Sequence, residues 1–427
     1  MSDVLLAEDP LYEELYDVRR EAEAVGNLIE RDVMPDIHAL RAKAPVHKGK
    51  LRDLLGLPHH DRHIYAAGRQ HYTVLGYEAC EAAFRDPKTF SSLVSHHPNP
   101  ASEMTMGLLE MDGPMHRAYR RTIQPKFLMP EALGWWRQRI IGWIVEALIQ
   151  RMGRGDRAEL NLDYCARIPV YTITTAIGLD GDEALRFRNA YLRSGAARGV
   201  SMEERIEAGK TVESLLLGLI EARRREPQDD LVSFLVSTRL MMPGAEPRAL
   251  TDREIMTHAK LVMVAGGGTS WRQMGIALWA LLIHRDQFEE VKADRSLVDQ
   301  AIEESLRWNP TAPVFSRLVM RDTEFYGVEM REGGVIELGL GAANRDPARW
   351  DNPDAYDLHR PFLTNMAFGL GTHRCLGMNV ARVEIAVGVN ALLDAFPKLR
   401  LDPDAEAPFM TGGLEQQGIS GLPVLLS

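Results

Sequence analysis

Towards its end the chain carries Phe368-Gly369-Leu370-Gly371-Thr372-His373-Arg374-Cys375-Leu376-Gly377, a single cysteine in a glycine-spaced loop ahead of the helical pattern Leu376 to Phe396. Glycine permits tight reversals that a Cβ resists. The start of the following helix turns its positive end and unpaired N–H groups towards the sulfur. Those groups stabilise a thiolate. The preceding stretch, Gly341 to Gly371, holds Pro347, Pro353 and Pro361 and lacks helix signals. A loop this long inside a compact chain is expected to carry function. A phosphate-binding reading from Gly369 fails, because Arg374 stands where the third glycine belongs. A zinc site fails too: only His373 is near, with no second cysteine pair.

The rest of the chain predicts a mainly α architecture with a small β lobe. Helical periodicity runs over Glu131 to Met152, Val212 to Arg225, Arg253 to His284 and Ser296 to Trp308. Strand patterns are short: His63 to Ala66, Tyr72 to Leu75, and a hairpin of Thr323 to Glu329 with Val335 to Leu340 around residues 331–334. No linker divides the 427 residues, so a single domain is expected over 31–427 behind an N-terminal extension, 1–30. A net charge of -10 argues against nucleic acid as a partner. The three cysteines, Cys80, Cys165 and Cys375, are too widely spaced for a disulfide framework and fit a reducing compartment. The N-terminus is charged and the most apolar helix pattern contains Arg137, Arg139 and Glu146, so no membrane partner and a cytoplasmic location are expected.

The cysteine loop resembles the haem-ligand signature of the cytochrome P450 superfamily, Phe-x-x-Gly-x-x-x-Cys-x-Gly, in its soluble bacterial class. The resemblance runs from about residue 30 to the end and rests on several motifs in order. It implies a triangular helical body around a buried haem b, with Cys375 as the iron ligand and Phe368, Gly369, His373 and Gly377 in the cofactor loop. Glu304 and Arg307 match the family's Glu-x-x-Arg, a structural pair bracing the segment from Asn344 to Pro361. His116 and Arg120, one helical turn apart, look like the pair that grips a haem propionate, with Arg317 and His359 as further contacts. Buried carboxylates need positive, hydrogen-bonding partners, which accounts for these residue types. Ala265-Gly266-Gly267-Gly268-Thr269-Ser270 falls where the family's long helix crosses the haem and widens to accept oxygen and water. Gly266 belongs to the cofactor face there, and Gly268, Thr269 and Ser270 to the catalytic one. The family usually places an acid directly before the threonine; here that position is Gly268, a departure.

The implied activity is insertion of one oxygen atom of O2 into a small, largely apolar organic substrate. Thiolate ligation pushes electron density onto iron and favours O–O cleavage. Electrons are expected from a ferredoxin and its reductase, docking beside the loop at Arg374. The alternatives are a peroxide-driven haem-thiolate peroxygenase and a non-catalytic haem sensor. Without the acid, a water channel beside Gly266 to Gly268, oriented by Thr269 and Ser270, is expected to carry protons. The substrate lining is placed at Ser91 to Leu109, Leu261 to Thr269, Thr311 to Val314 and Met410 to Gln417, with His96, His97 and Glu415 as polar handles.

Overall fold

The structure is a computed structural model that describes residues 16–24, 26–58, 68–93, 107–194 and 201–427. The strand expected at His63 to Ala66, and His96 and His97, lie outside the described residues. The helices that position the site are α1 (Val18–Ala24), α2 (Tyr77–Arg85), α3 (Gly113–Ile123), α4 (Arg167–Ile177), α5 (Met202–Arg225), α6 (Asp252–Ile283), α7 (Arg285–Ala293), α8 (Val298–Trp308) and α9 (Met378–Ala395).

α6 organises the rest. Its first turn is set by a reciprocal cap: Thr251 Oγ1 accepts from the Glu254 N–H at 3.3 Å, and the Thr251 N–H donates to Glu254 at 2.8 Å. From Ile255 to Leu282 it buries residues on most of its circumference, as a helix running through a core must. The largest apolar cluster forms around it, with Trp136, Tyr164, Phe187, Trp271 and Phe288 almost fully buried. The helix stays regular through its three glycines. Gly266 is there for contact: a Cβ would come within 2.4 Å of Ile173 Cδ1 on α4.

Five strands form the β lobe: β1 (Val46–Lys48), β2 (His71–Val74), β3 (Phe90–Ser91), β4 (Val314–Val319) and β7 (Val335–Gly339), in the order β1-β2-β7-β4-β3. β7 runs parallel to β2, Ile336 opposite Tyr72, and antiparallel to β4, Ile336 opposite Arg317. The expected hairpin is therefore corrected. Thr323–Phe325 (β5) turns back at Tyr326-Gly327, both with positive φ, and pairs with Val328–Met330 (β6); Val335–Gly339 pairs elsewhere. A second hairpin, β8 (Met410–Gly412) with β9 (Gln417–Ile419), packs against α1 and α6. Residues of the expected N-terminal extension thus lie on the body: Tyr16 meets Trp271 edge-on at 5.7 Å, and Val18 is buried. Among the described residues no helix is long and apolar enough to cross a membrane.

Candidate active site

Gly369 and Gly371 have φ of +64° and +71°, and a Cβ on Gly371 would lie 2.5 Å from the Phe84 carbonyl oxygen of α2. Both the conformation and the close approach require glycine there. The Cys375 N–H donates to the Phe368 carbonyl at 2.9 Å and closes the loop; the Phe368 ring lies under the Arg382 guanidinium at 4.6 Å. α9 begins at Met378, with Gly377 as its N-cap, two residues later than the periodicity predicts. Burial pushes the Cys375 thiol upward, while the Gly377 and Met378 N–H groups and the Arg120 and Arg382 guanidinium groups pull it down. Coordination to a metal ion removes that proton outright.

Arg120 holds the loop backbone, donating to the Arg374 carbonyl at 2.8 Å and the Thr372 carbonyl at 3.3 Å. His116 and His373 bring their rings to 4.0 Å, and His373 Nε2 pairs with Asp112 Oδ1 at 2.8 Å. Asp112 is fixed by the Ser91 hydroxyl at 2.5 Å and the Ser92 N–H at 2.9 Å. Burial, then the charges of His373 and Arg120, lower His116 to about 4. Its Nε2 is buried and has no hydrogen-bond partner among the described residues; the same holds for Arg374 Nε. Arg374 thus turns its Nε inward while the residue as a whole stays half-buried. Arg317 on β4 is buried with its guanidinium 5.2 Å from the Phe84 ring, the ring that backs Gly369.

His359 is a correction. Its side chain is 60% exposed and pairs with Glu290 of α7 at 2.7 Å, outside this cluster. The neighbouring Arg360 turns inward instead and donates to Glu304 at 3.0 Å. Glu304 and Arg307 are buried and doubly bonded, at 2.8 and 2.7 Å, as a bracing pair requires.

On α6, Ala265 is exposed although it stands at the middle of the core helix, so the helix is uncovered there. The Thr269 hydroxyl donates to the Ala265 carbonyl at 2.8 Å. Ser270 is a second correction: it is buried and its hydroxyl faces the Glu384 carboxyl of α9, not the space beside Ala265. Gly266 corrects the expected channel, since Ile173 fills the room beside it. Gly268 faces Arg272, whose guanidinium bonds its carbonyl oxygen. Glu415 is no free handle, because the Asn27 side chain binds its carboxylate.

Sequence reasoning missed Asp112 and Glu384. Asp112 had a local signal, standing directly before the Gly113-Pro114 helix start; Glu384 had none, being an acid inside an apolar helix pattern. Burial, opposed by the Thr172 and Ser270 hydroxyls, raises Glu384 to about 8. The folded state therefore holds this proton, and the stability it contributes is full below the ordinary carboxyl range and lost as pH rises through about 8. Glu384→Gln should melt several degrees above the parent near pH 9, with the gap closing towards pH 5, in thermal unfolding followed by circular dichroism. A gap independent of pH would contradict the assignment.

A helical chain that closes around a thiol, with one imidazole nitrogen and one guanidinium nitrogen nearby lacking partners among the described residues, is the arrangement a haem-thiolate protein needs. Residues 199–416 match the cytochrome P450 family model. The cytochrome P450 105C1 of a Streptomyces species is 34% identical over 91% of this chain and 94% of its own. The mycinamicin IV hydroxylase/epoxidase of Micromonospora griseorubida is 32% identical, covering 84% and 90%. Among solved structures, the bacillaene polyketide synthase cytochrome P450 PksS of Bacillus subtilis superposes with a TM-score of 0.80 at 24% identity, covering 92% of this chain and 96% of its own. The chain belongs to the cytochrome P450 family; it is a haem-dependent monooxygenase and its cofactor is haem b.

The residues present fit that cofactor. Its two carboxylates need donors; Arg374 Nε is a buried donor and His116 Nε2 a buried ring nitrogen that donates in one tautomer, and neither has a partner among the described residues. Replacing both His116 and Arg120 with leucine should lower haem retention far more than replacing Cys80 and Cys165 with alanine, read as haem absorbance per protein. Equal haem content in the two variants would overturn the role given to His116 and Arg120.

Proposed function

We propose that this chain inserts one oxygen atom of O2 into a small, largely apolar organic substrate, with electrons delivered by a ferredoxin and its reductase. The observation that carries the reading is the Cys375 loop, where two backbone N–H groups and two guanidinium groups face one half-buried sulfur. Haem b held there supplies reductive activation of O2, the chemistry that no side chain provides. Cys375 donates its sulfur, and Arg120 fixes the carbonyls on either side of His373. His116, Arg317 and Arg374 hold the cofactor's carboxylates, and the His373–Asp112 pair orients the ring stacked on His116. Thr269 donates its hydroxyl hydrogen to the Ala265 carbonyl, which leaves its oxygen lone pairs free to accept a hydrogen bond from water.

An apolar substrate is supported by Ala265, an exposed apolar residue one helical turn from Thr269. Relatives point the same way by name: one is the vitamin D3 dihydroxylase of Streptomyces griseolus, 30% identical over 88% of this chain and 92% of its own. The reading also places the protein in the cytoplasm, supported by three free thiols. The test is turnover with NADPH, a ferredoxin and its reductase, run beside a peroxide-driven reaction, on ligands found by shifts of the haem spectrum. NADPH-dependent product is expected. Product from peroxide alone would make the protein a peroxygenase, and haem binding without product from either would make it a sensor.

A further inference from the structure

The acid absent at residue 268 leaves a gap with a particular neighbour. A Cβ on Gly268 would find one side chain within 4 Å, Arg272 Nη1 at 3.6 Å. Arg272 has only 3% of its side chain exposed and lies 4.6 Å over the Trp271 ring. One nitrogen of its fork bonds the Gly268 carbonyl, and another bonds the Glu21 carboxylate of α1. An arginine cannot shed its charge, so a buried one needs an anion. Position 268 offers none, and Glu21 answers from 251 residues away.

α1 is held where it can do so. Tyr16 packs on Trp271, and the Val18 methyls lie 3.3 and 3.0 Å from the Cβ positions of Gly412 and Gly418 on the β8–β9 hairpin. Asn27 bridges Glu415 and Arg52, the latter at 2.5 Å. The Glu21 side chain is 41% exposed, while one of its carboxyl oxygens meets Arg272. Burial raises it from its ordinary value; Arg272 opposes this and Asp17 adds to it. Asp17 and Tyr16 face it from its own segment, Arg272 from α6, and β8 and β9 present no titratable side chain.

We propose that Glu21 supplies, from the N-terminal segment, the carboxylate that α6 lacks at residue 268, and that it exchanges protons between solvent and the water beside Thr269 while Arg272 holds it in place. The inference rests on the monooxygenase reading. In each exchange the carboxylate paired with Arg272 takes one proton from bulk water and gives it inward to water, returning to the carboxylate with no electron moved. Glu21 is a positioning residue, since it reaches the reacting atoms only through water.

The test uses the full haem-loaded chain with excess ferredoxin and reductase, and O2 itself as the probe, so no organic substrate is needed. Glu21→Gln is isosteric and keeps a hydrogen bond to Arg272, but cannot exchange a proton. It should slow NADPH-driven O2 consumption at least about 10-fold, the low side of what acid–base groups contribute. Glu21→Asp should retain most of the rate. Adding Gly268→Asp to Glu21→Gln should restore it, because that carboxylate lands beside the same guanidinium. As pH falls, an infrared titration should show a protonated-carboxyl band, in addition to that of Glu384, that Glu21→Gln removes. Unchanged O2 consumption in Glu21→Gln, or a folded double variant that stays slow, overturns the proposal. Should Glu21→Gln alone fail to fold, Gly268→Asp is compared with and without it: equal rates support the proposal and unequal rates overturn it. A parent protein that consumes no O2 refutes the monooxygenase reading instead.

Discussion

Cys375→Ser is expected to abolish NADPH-dependent oxidation while leaving the polypeptide folded. The serine oxygen can still accept from the Gly377 and Met378 N–H groups and still faces Arg120 and Arg382, so the loop keeps its backbone closure from residue 375 to Phe368. What disappears is the sulfur that pushes electron density onto iron. Neither remaining thiol can substitute. Cys80 and Cys165 are fully buried, burial drives both upward, and no guanidinium faces either one. The check is product formation beside thermal unfolding of the same preparation. Retained turnover in a folded Cys375→Ser protein would remove the thiolate from the account.

Arg307→Met should be the most destabilising single change outside the loop. Arg307 donates twice to Glu304 and also to the carbonyls of Asn344, Pro353 and Ala355, at 3.1, 2.7 and 2.8 Å. Arg360 completes the lattice on the carbonyls of Asp351, Asn352 and Ala355, at 2.5, 3.1 and 3.0 Å. Two guanidinium groups thus satisfy a connecting segment that has no ladder of its own. Removing one leaves a buried carboxylate half-paired and carbonyls without donors, and breaking a buried pair this way costs about 3–5 kcal/mol. Arg307→Lys should recover little, since an ammonium cannot reproduce the planar fork. Denaturant midpoints measure both. A loss under about 1 kcal/mol for Arg307→Met would mean the pair is no brace, since that is what an exposed pair contributes.

The same contrast between local and distant constraints decides what the sequence reveals. The cysteine loop is legible because each requirement lies within ten residues: glycines at positive φ, a thiol, and a helix start behind it. Glu304 and Arg307 are legible because residues three apart share a helix face. His359 and Arg360 are adjacent basic residues in one loop, and only the position of Glu304 in space decides which turns inward. Thr269 and Ser270 point about 100° apart on a helix, so they present different faces. The choice between them needs Glu384 on α9. The hairpin is misread because Gly333-Gly334 is a stronger turn signal on paper than Tyr326-Gly327, where a tyrosine takes a φ of +50°. Glu21 and Arg272 leave no local trace, since neither residue demands the other until α1 is laid on α6.

The central claim is that Cys375 binds haem iron as a thiolate, and the spectrum of the reduced protein under carbon monoxide tests it most directly. Purified full-length protein should carry haem and show the red-shifted Soret band of thiolate ligation, lost in Cys375→Ser. A well-folded preparation without haem, or an imidazole-type band in fresh parent protein, would contradict the account.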